Sequence, residues 1–366
     1  MKKWISFGLS LVLIVASIFF AIDAGAVSAG AGNGQGKSVR SVEELSDVME
    51  WIGQSFGAQY AESALSGGVS NVAVSDDDES YGDNNSGFGG DEDSERSKYS
   101  SVTLQFKTVA GFDNSSSYNG DRSTQSISVQ REMTCYFTTK AVYYDIDATI
   151  RSRNNSEIGT VNSATRIKAQ LFVNKKKFLM RFEELSVLNR YNYEDEEMME
   201  EVEDEETKNF EPLLYKWLDC SKVGGGELLE IISEVTEENF EIMSILGSYM
   251  QTDEEGGKRF SKSGSVYNLK SSYVKSLCTT LLDMPDEAID KDSSFVVDLS
   301  ANKAPKMMLD MLIDYDENLD YINGSYHVSQ KGAENLYCCI SNINNTVVSA
   351  PNAKTYDLED FKYLFE

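Results

Sequence analysis

The sequence predicts an α+β fold: an antiparallel β-sheet whose strands fall in two sets, with a helical insertion between them. Three observations predict it. Apolar and polar residues alternate with period two between Tyr99 and Phe182. Short amphipathic pieces with helical spacing then occupy about residues 207–285, and alternation returns from Phe295 to Val348. A further helix, expected over residues 41–65, precedes the first strand.

The chain opens on Met1-Lys2-Lys3, an apolar run from Trp4 to Ile22, and the small residues Ala24-Gly25-Ala26 and Val27-Ser28-Ala29. That order reads residues 1–26 as a secretory signal, and the protein as secreted or extracytoplasmic. The apolar run also approaches the ~20 residues that span a bilayer, so an uncleaved membrane anchor is the alternative. The first cysteine is Cys135, which leaves no lipobox.

Residues 27–65 read as a Gly/Ala/Ser leader, expected to be flexible, and one amphipathic helix. Ser41 and Glu44 have capping-box spacing, and Leu45, Val48, Met49, Ile52 and Phe56 form one apolar stripe flanked by Trp51 and Tyr60. Residues 66–98 are rich in Asp, Glu, Gly, Ser and Asn and are expected to be a disordered linker. Their carboxylates lack the spacing of a calcium loop.

Residues 99–366 form the main domain. Val102-Leu104-Phe106, Ile127-Val129, Met133-Cys135-Phe137, Val142 to Ile150, Ile167 to Val173 and Phe178-Met180-Phe182 alternate with polar residues as an antiparallel meander. Residues 113–120 read as a polar loop, and the acidic run 194–206 as a solvated loop or frayed helix rather than a strand. Pro212 is expected to open a helical turn, and a helix is expected over Tyr273-Leu277-Leu281. The closing strands are expected at Phe295-Leu299, Met307-Met311, and residues 321–328 and 336–348.

With 60 acidic and 33 basic residues the net charge is −27, which argues against nucleic acid, heparin-like polymers and anionic lipid surfaces as partners. The five cysteines have irregular spacing, without a zinc or redox motif; a Cys220–Cys278 bridge is left open, and Cys338 and Cys339 should face opposite sides of a strand. The single histidine, His327, cannot build the usual triads or His-rich zinc sites. Asp145, Asp147, Asp298 and Asp310 should face solvent. No catalytic residue, metal site or cofactor is expected.

The strands from Phe295 onward, the ending Tyr337 to Thr346 and the following Ala350-Pro351 resemble the LolA-like and mycobacterial-type lipoprotein half-barrels, including uncharacterised secreted Gram-positive relatives. The resemblance is strongest over residues 258–351. It implies a strongly curved antiparallel sheet, a half-barrel, with helices on its concave apolar face. Members of that group carry lipids or acyl chains there. The inward ligand-binding candidates are Leu104, Phe106, Phe137, Tyr144, Ile146, Leu171, Val173, Met180 and Phe182. The expected function is an exported, non-enzymatic carrier of a lipid or other apolar ligand. The alternative is a structural or interaction protein of the cell envelope, with a filled core and a protein partner.

Overall fold

The computed structural model describes residues 28–34, 36–53, 98–118, 121–156, 159–174, 177–193, 205–207, 210–220, 242–251, 258–282, 284–321, 324–357 and 360–361. The expected signal, and all of the expected linker except Lys98, lie outside the described residues, as does residue 54 onward of the first expected helix.

The architecture is a large curved, unclosed and mostly antiparallel sheet with helices. Its centre is built from long strands: β2 (Ser101–Tyr118), β3 (Asp121–Thr138), β4 (Ala141–Ser156), β5 (Gly159–Asn174), β6 (Lys177–Tyr193), β12 (Lys306–Tyr321) and β13 (Gly324–Ser341). Shorter strands complete it: β7 (Glu205–Thr207), β8 (Trp217–Asp219), β9 (Phe260–Ser263), β10 (Val266–Leu269), β11 (Ser294–Asp298) and β15 (Thr355–Asp357). The spatial order is β15-β8-β6-β5-β4-β3-β2-β13-β12-β11-β10-β9, and β7 adds alongside β6. Among the described strands only β15 runs parallel to its neighbour, β8. A separate two-stranded ribbon joins β1 (Ser28–Ala31) to β14 (Thr346–Ser349).

β2 and β13 each hold 18 residues, well beyond the usual ~5–6. This corrects the expected loop at 113–120, where Asp113 to Tyr118 are paired with β3. The physical reason is that both faces are polar there. Backbone pairing persists, but no apolar alternation remains to announce it. The closing strands are corrected likewise. The expected strand 321–328 straddles the β12–β13 connection, and β13 ends before Asn342 and Asn344, which adopt φ of 51° and 61°. These asparagines tie the ending down: Ser100 N–H donates to Asn344 Oδ1 at 2.8 Å, and Gly34 N–H to Asn345 Oδ1 at 2.9 Å.

The leader is not loose. Ser28 to Ala31 pair with Thr346 to Ser349, and Lys37 N–H donates to the Ile343 carbonyl at 2.9 Å. Small side chains let this edge lie close to the turn: a Cβ on Gly32 would sit 3.0 Å from Asn345 Oδ1. Ala29 and Val348 pack on the outer face of the main sheet against Tyr143, Phe172 and Trp217.

Three helices are described: α1 over 42–53, α2 over 242–250 and α3 (Ser271–Leu282). Ser41 caps α1, accepting Glu44 N–H at 3.2 Å, while the Glu44 carboxylate accepts Arg40 N–H at 2.8 Å, one residue before the expected box partner. α1 and α2 approach closely at Gly247, where Ser46 Oγ donates to the Gly247 carbonyl at 2.8 Å. Tyr249 and Ser276 hydroxyls link α2 to α3 at 2.8 Å.

The segment between β6 and α3 is less helical than expected. Pro212 does open a turn, but it is a single 3-10 turn, Glu211–Leu213, followed by Tyr215 at φ 76° and then β8. Tyr215 N–H donates instead to the Phe182 carbonyl, so the chain turns back onto β6. Glu205 to Thr207, expected not to be strand, pair with β6 opposite Arg190, Asn189 and Leu188.

Candidate ligand-binding face

Strand register fixes which side chains share a face. One inner row crosses Leu104, Cys135, Tyr144 and Leu171 to Met180; the next crosses Phe106, Met133, Ile146 and Ala169 to Phe182. Phe137 and Val173 belong to the row beside them, through Val142. All nine candidates therefore lie on one face, as alternation implied.

What packs on that face divides them. Leu104, Phe106, Phe137, Tyr144 and Ile146 belong to one buried cluster that also holds Leu45, Met49 and Ile52 of α1, Met243 and Leu246 of α2, and Leu277 and Cys278 of α3. Trp51 of α1 meets Phe137 edge-on, with ring centroids 5.3 Å apart. Met180 and Phe182 belong to a second cluster with Phe210, Leu213, Leu218 and Cys220, from the segment that turns back across β6. Leu171 touches both clusters, and Val173 the second. Leu171 and Val173 keep partial exposure, whereas Phe137 and Phe182 are fully buried.

Further along the same face, charge interrupts the apolar wall. Arg131 of β3 lies in the row of Thr108 and Leu336, and Glu334 of β13 in the row of Ala110 and Met311. Arg131 Nη2 approaches the buried Thr108 Oγ1 at 3.4 Å. Loss of hydration pushes the Glu334 carboxyl above its ordinary value, and the positive charge of Arg131 opposes that rise. Cys278 on α3 is close enough for the Glu334 charge to add to the burial that pushes its thiol up to about 12. Tyr315 donates its hydroxyl to the Glu317 carboxylate on the inner side of β12.

Arg131 and Glu334 did not enter the sequence-based set, though a signal was present. Arg131 falls in phase with Val129 and Met133, and Glu334 in phase with Leu336 and Cys338. A charge on the apolar phase of a strand is the mark of a polar group pointed at a core.

The remaining titratable groups sit elsewhere. All five cysteines are buried free thiols; Cys220 and Cys278 lie in different clusters and do not bridge. Cys338 faces the inner cluster, while Cys339 points to the Ala304 carbonyl at 3.9 Å. His327 Nε2 meets Asp316 at 2.9 Å on the outer face. Asp147 is likewise on the outer face, held by Arg166. Among the described residues no group of His, Cys, Asp and Glu is arranged to hold a metal ion, and no helix is long and apolar enough to cross a membrane.

Comparison with family models, curated proteins and solved structures finds no match.

Proposed function

We propose that this is an exported, non-enzymatic binding protein that holds an amphipathic molecule on the inner face of its half-barrel, beneath α1–α3. The observation that carries this reading is that Arg131 and Glu334, both half-buried, occupy the apolar phase of neighbouring rows of the inner face. A core serving stability alone gains nothing from such a pair, since apolar residues of similar volume do as well or better without the desolvation cost. A ligand with an apolar chain and a polar head gives both groups a use. Its chain would lie against Leu104, Ile146 and the partly exposed Leu171, and its head near Arg131 and Glu334. The N-terminal basic and apolar run supports export. The resemblance to LolA-like half-barrels supports a carrier, and the curved, unclosed sheet agrees with it.

One observation favours a second reading, an envelope interaction protein with a filled core. Phe137 and Phe182 are already excluded from solvent by protein side chains. The experiment that separates the two is native mass spectrometry of the full chain purified from its host, with Leu171→Glu alongside. A co-purifying mass that is lost in a variant of normal thermal stability supports the carrier. Absence of any co-purifying mass, with gross unfolding of Leu171→Glu, identifies plain core. An unpaired carboxylate should cost several kcal/mol in packed core, against roughly one or two where water reaches it.

A further inference from the structure

The outer face carries a second feature, independent of the inner wall. Where β3–β6 extend toward their polar ends, an open groove of about 290 Å³ crosses them. Its first row is Ser126, Arg153, Asn162 and Arg190; its second is Ser128, Arg151, Ala164 and Leu188. The chain has 60 acidic and 33 basic residues, yet three of the residues lining this groove are arginines and none is a carboxylate. Arg151, Arg153 and Arg190 are exposed. Among the described residues, Asp113 borders the groove on this face and accepts Ser126 Oγ at 2.6 Å.

We infer that this groove binds a linear phosphodiester polymer through its backbone. Guanidinium forks match phosphate oxygens two at a time, and the serine and asparagine side chains beside them add neutral donors. Arg151 and Arg153 stand roughly 7 Å apart along β4, with Arg190 two strands away at about 10 Å. That spread suits successive charges on a chain better than one small anion. No aromatic side chain is among the described residues that line the groove, so it lacks the aromatic platforms on which single-stranded nucleic acid stacks. The polymer is therefore one without nucleobases, such as a polyol phosphate. The net charge of −27 argues against polyanions at long range. Within about one Debye length, ~8 Å at physiological salt, the local arginines decide instead.

The test is titration of the full chain with a synthetic poly(glycerol phosphate) oligomer, with single-stranded DNA and inorganic phosphate in parallel. The oligomer should bind saturably near 50 mM salt, with a log–log salt slope of about −2 for roughly three neutralised phosphates. Arg151→Gln with Arg153→Gln should weaken it about tenfold or more, and Arg151→Lys with Arg153→Lys less, because charge remains without the fork. Arg166→Gln is the control, since Arg166 lies on the same face outside the groove lining, in ion pairs with Asp147 and Glu184. Melting temperatures of the Arg151 and Arg153 variants should stay close to that of the parent, because those two side chains are exposed. Any of four results overturns the proposal: no binding of the oligomer, equal loss with Arg166→Gln, tighter binding of DNA, or phosphate competing as well as the oligomer.

Discussion

Phe112 of β2 lies against Gly332, its register partner on β13, so closely that a Cβ on Gly332 would stand 2.5 Å from the Phe112 ring carbon Cδ1 and 2.9 Å from its Cα. The two strands can keep their pairing there only with glycine. Gly332→Ala should push β13 from β2 or displace the ring, at a cost of about 1–3 kcal/mol. Urea unfolding should show a lower midpoint, and Phe112→Ala should recover part of the loss in the double variant. An unchanged midpoint in Gly332→Ala would refute the close approach.

Glu334 should make stability depend on pH in an unusual direction for a carboxylate. Its folded-state pKa is raised by loss of hydration, so the folded state holds its proton longer than the unfolded state. Below the unfolded value, ~4.3, both states are protonated and the group costs nothing. As pH rises through that value toward the folded one, the unfolded state ionises first and stability drains away. Glu334→Gln should therefore be more stable than the parent at pH 7, with the gap closing near pH 4. Chemical denaturation at several pH values reads this directly.

Asp147 behaves oppositely. The hydrogen bond from Arg166 holds its carboxyl below the usual range, so its contribution is present above the unfolded value of ~3.9 and disappears as pH falls through the folded one. The Asp147 side chain is 44% exposed, which limits the pair to about 1 kcal/mol or less. Arg166→Met should lose that much at pH 7, with the loss shrinking as pH falls below the unfolded value. A loss that persists at pH 2 would point to packing of the arginine stem instead.

Asn344 combines a left-handed backbone with three tethers. Its N–H donates to the Ser101 carbonyl at 2.7 Å, its Oδ1 accepts Ser100 N–H, and its Nδ2 donates to the Lys98 carbonyl at 3.1 Å. Asn344→Gly keeps the backbone but loses the side-chain bonds to Ser100 and Lys98, at about 1–2 kcal/mol. Asn344→Ala should cost roughly 1 kcal/mol more, since φ of 61° strains a Cβ. Equal losses in the two variants would rule out strain as a component.

Thiol chemistry offers a simple global check. Burial pushes up the Cys135, Cys220, Cys278 and Cys338 thiols, leaving little thiolate at neutral pH. A thiol reagent at pH 8 should therefore label these four at the rate of unfolding. Fast stoichiometric labelling of Cys135 or Cys338 would contradict the packing of the inner cluster.

These outcomes track what local sequence can and cannot say. Val102, Leu104 and Phe106 announced their strand because one neighbour is core and the next is water. Ser115 to Ser117 announced nothing, because both sides are polar while the backbone still pairs. Ser41 and Glu44 marked the start of α1 through chemistry contained within a single turn. Pro212 signals a helical turn but not how short it is; the reversal that makes Trp217 strand begins at Tyr215, whose N–H is taken by the Phe182 carbonyl in another strand. The nine inner candidates were legible as a face. Their division between two clusters was not, because it depends on where the segment after β6 lands. Arg131 and Glu334 were each legible as a charge on the apolar phase of a strand; what local sequence could not say is that the β3-β2-β13 order brings the two near one another.

The ribbon of β1 and β14 sets a clock. Gly34 and Asn345, bonded beside it, are 311 residues apart in the chain. At ~5–20 residues per second, a ribosome needs roughly 15–60 s to supply the second partner after the first. Ser28 to Ala31 must wait unpaired through that interval, and the outer face around Trp217 cannot receive its cover sooner. Late closure of so distant a contact predicts slow final folding. Completion is thus deferred until both ends of this 311-residue span have been made.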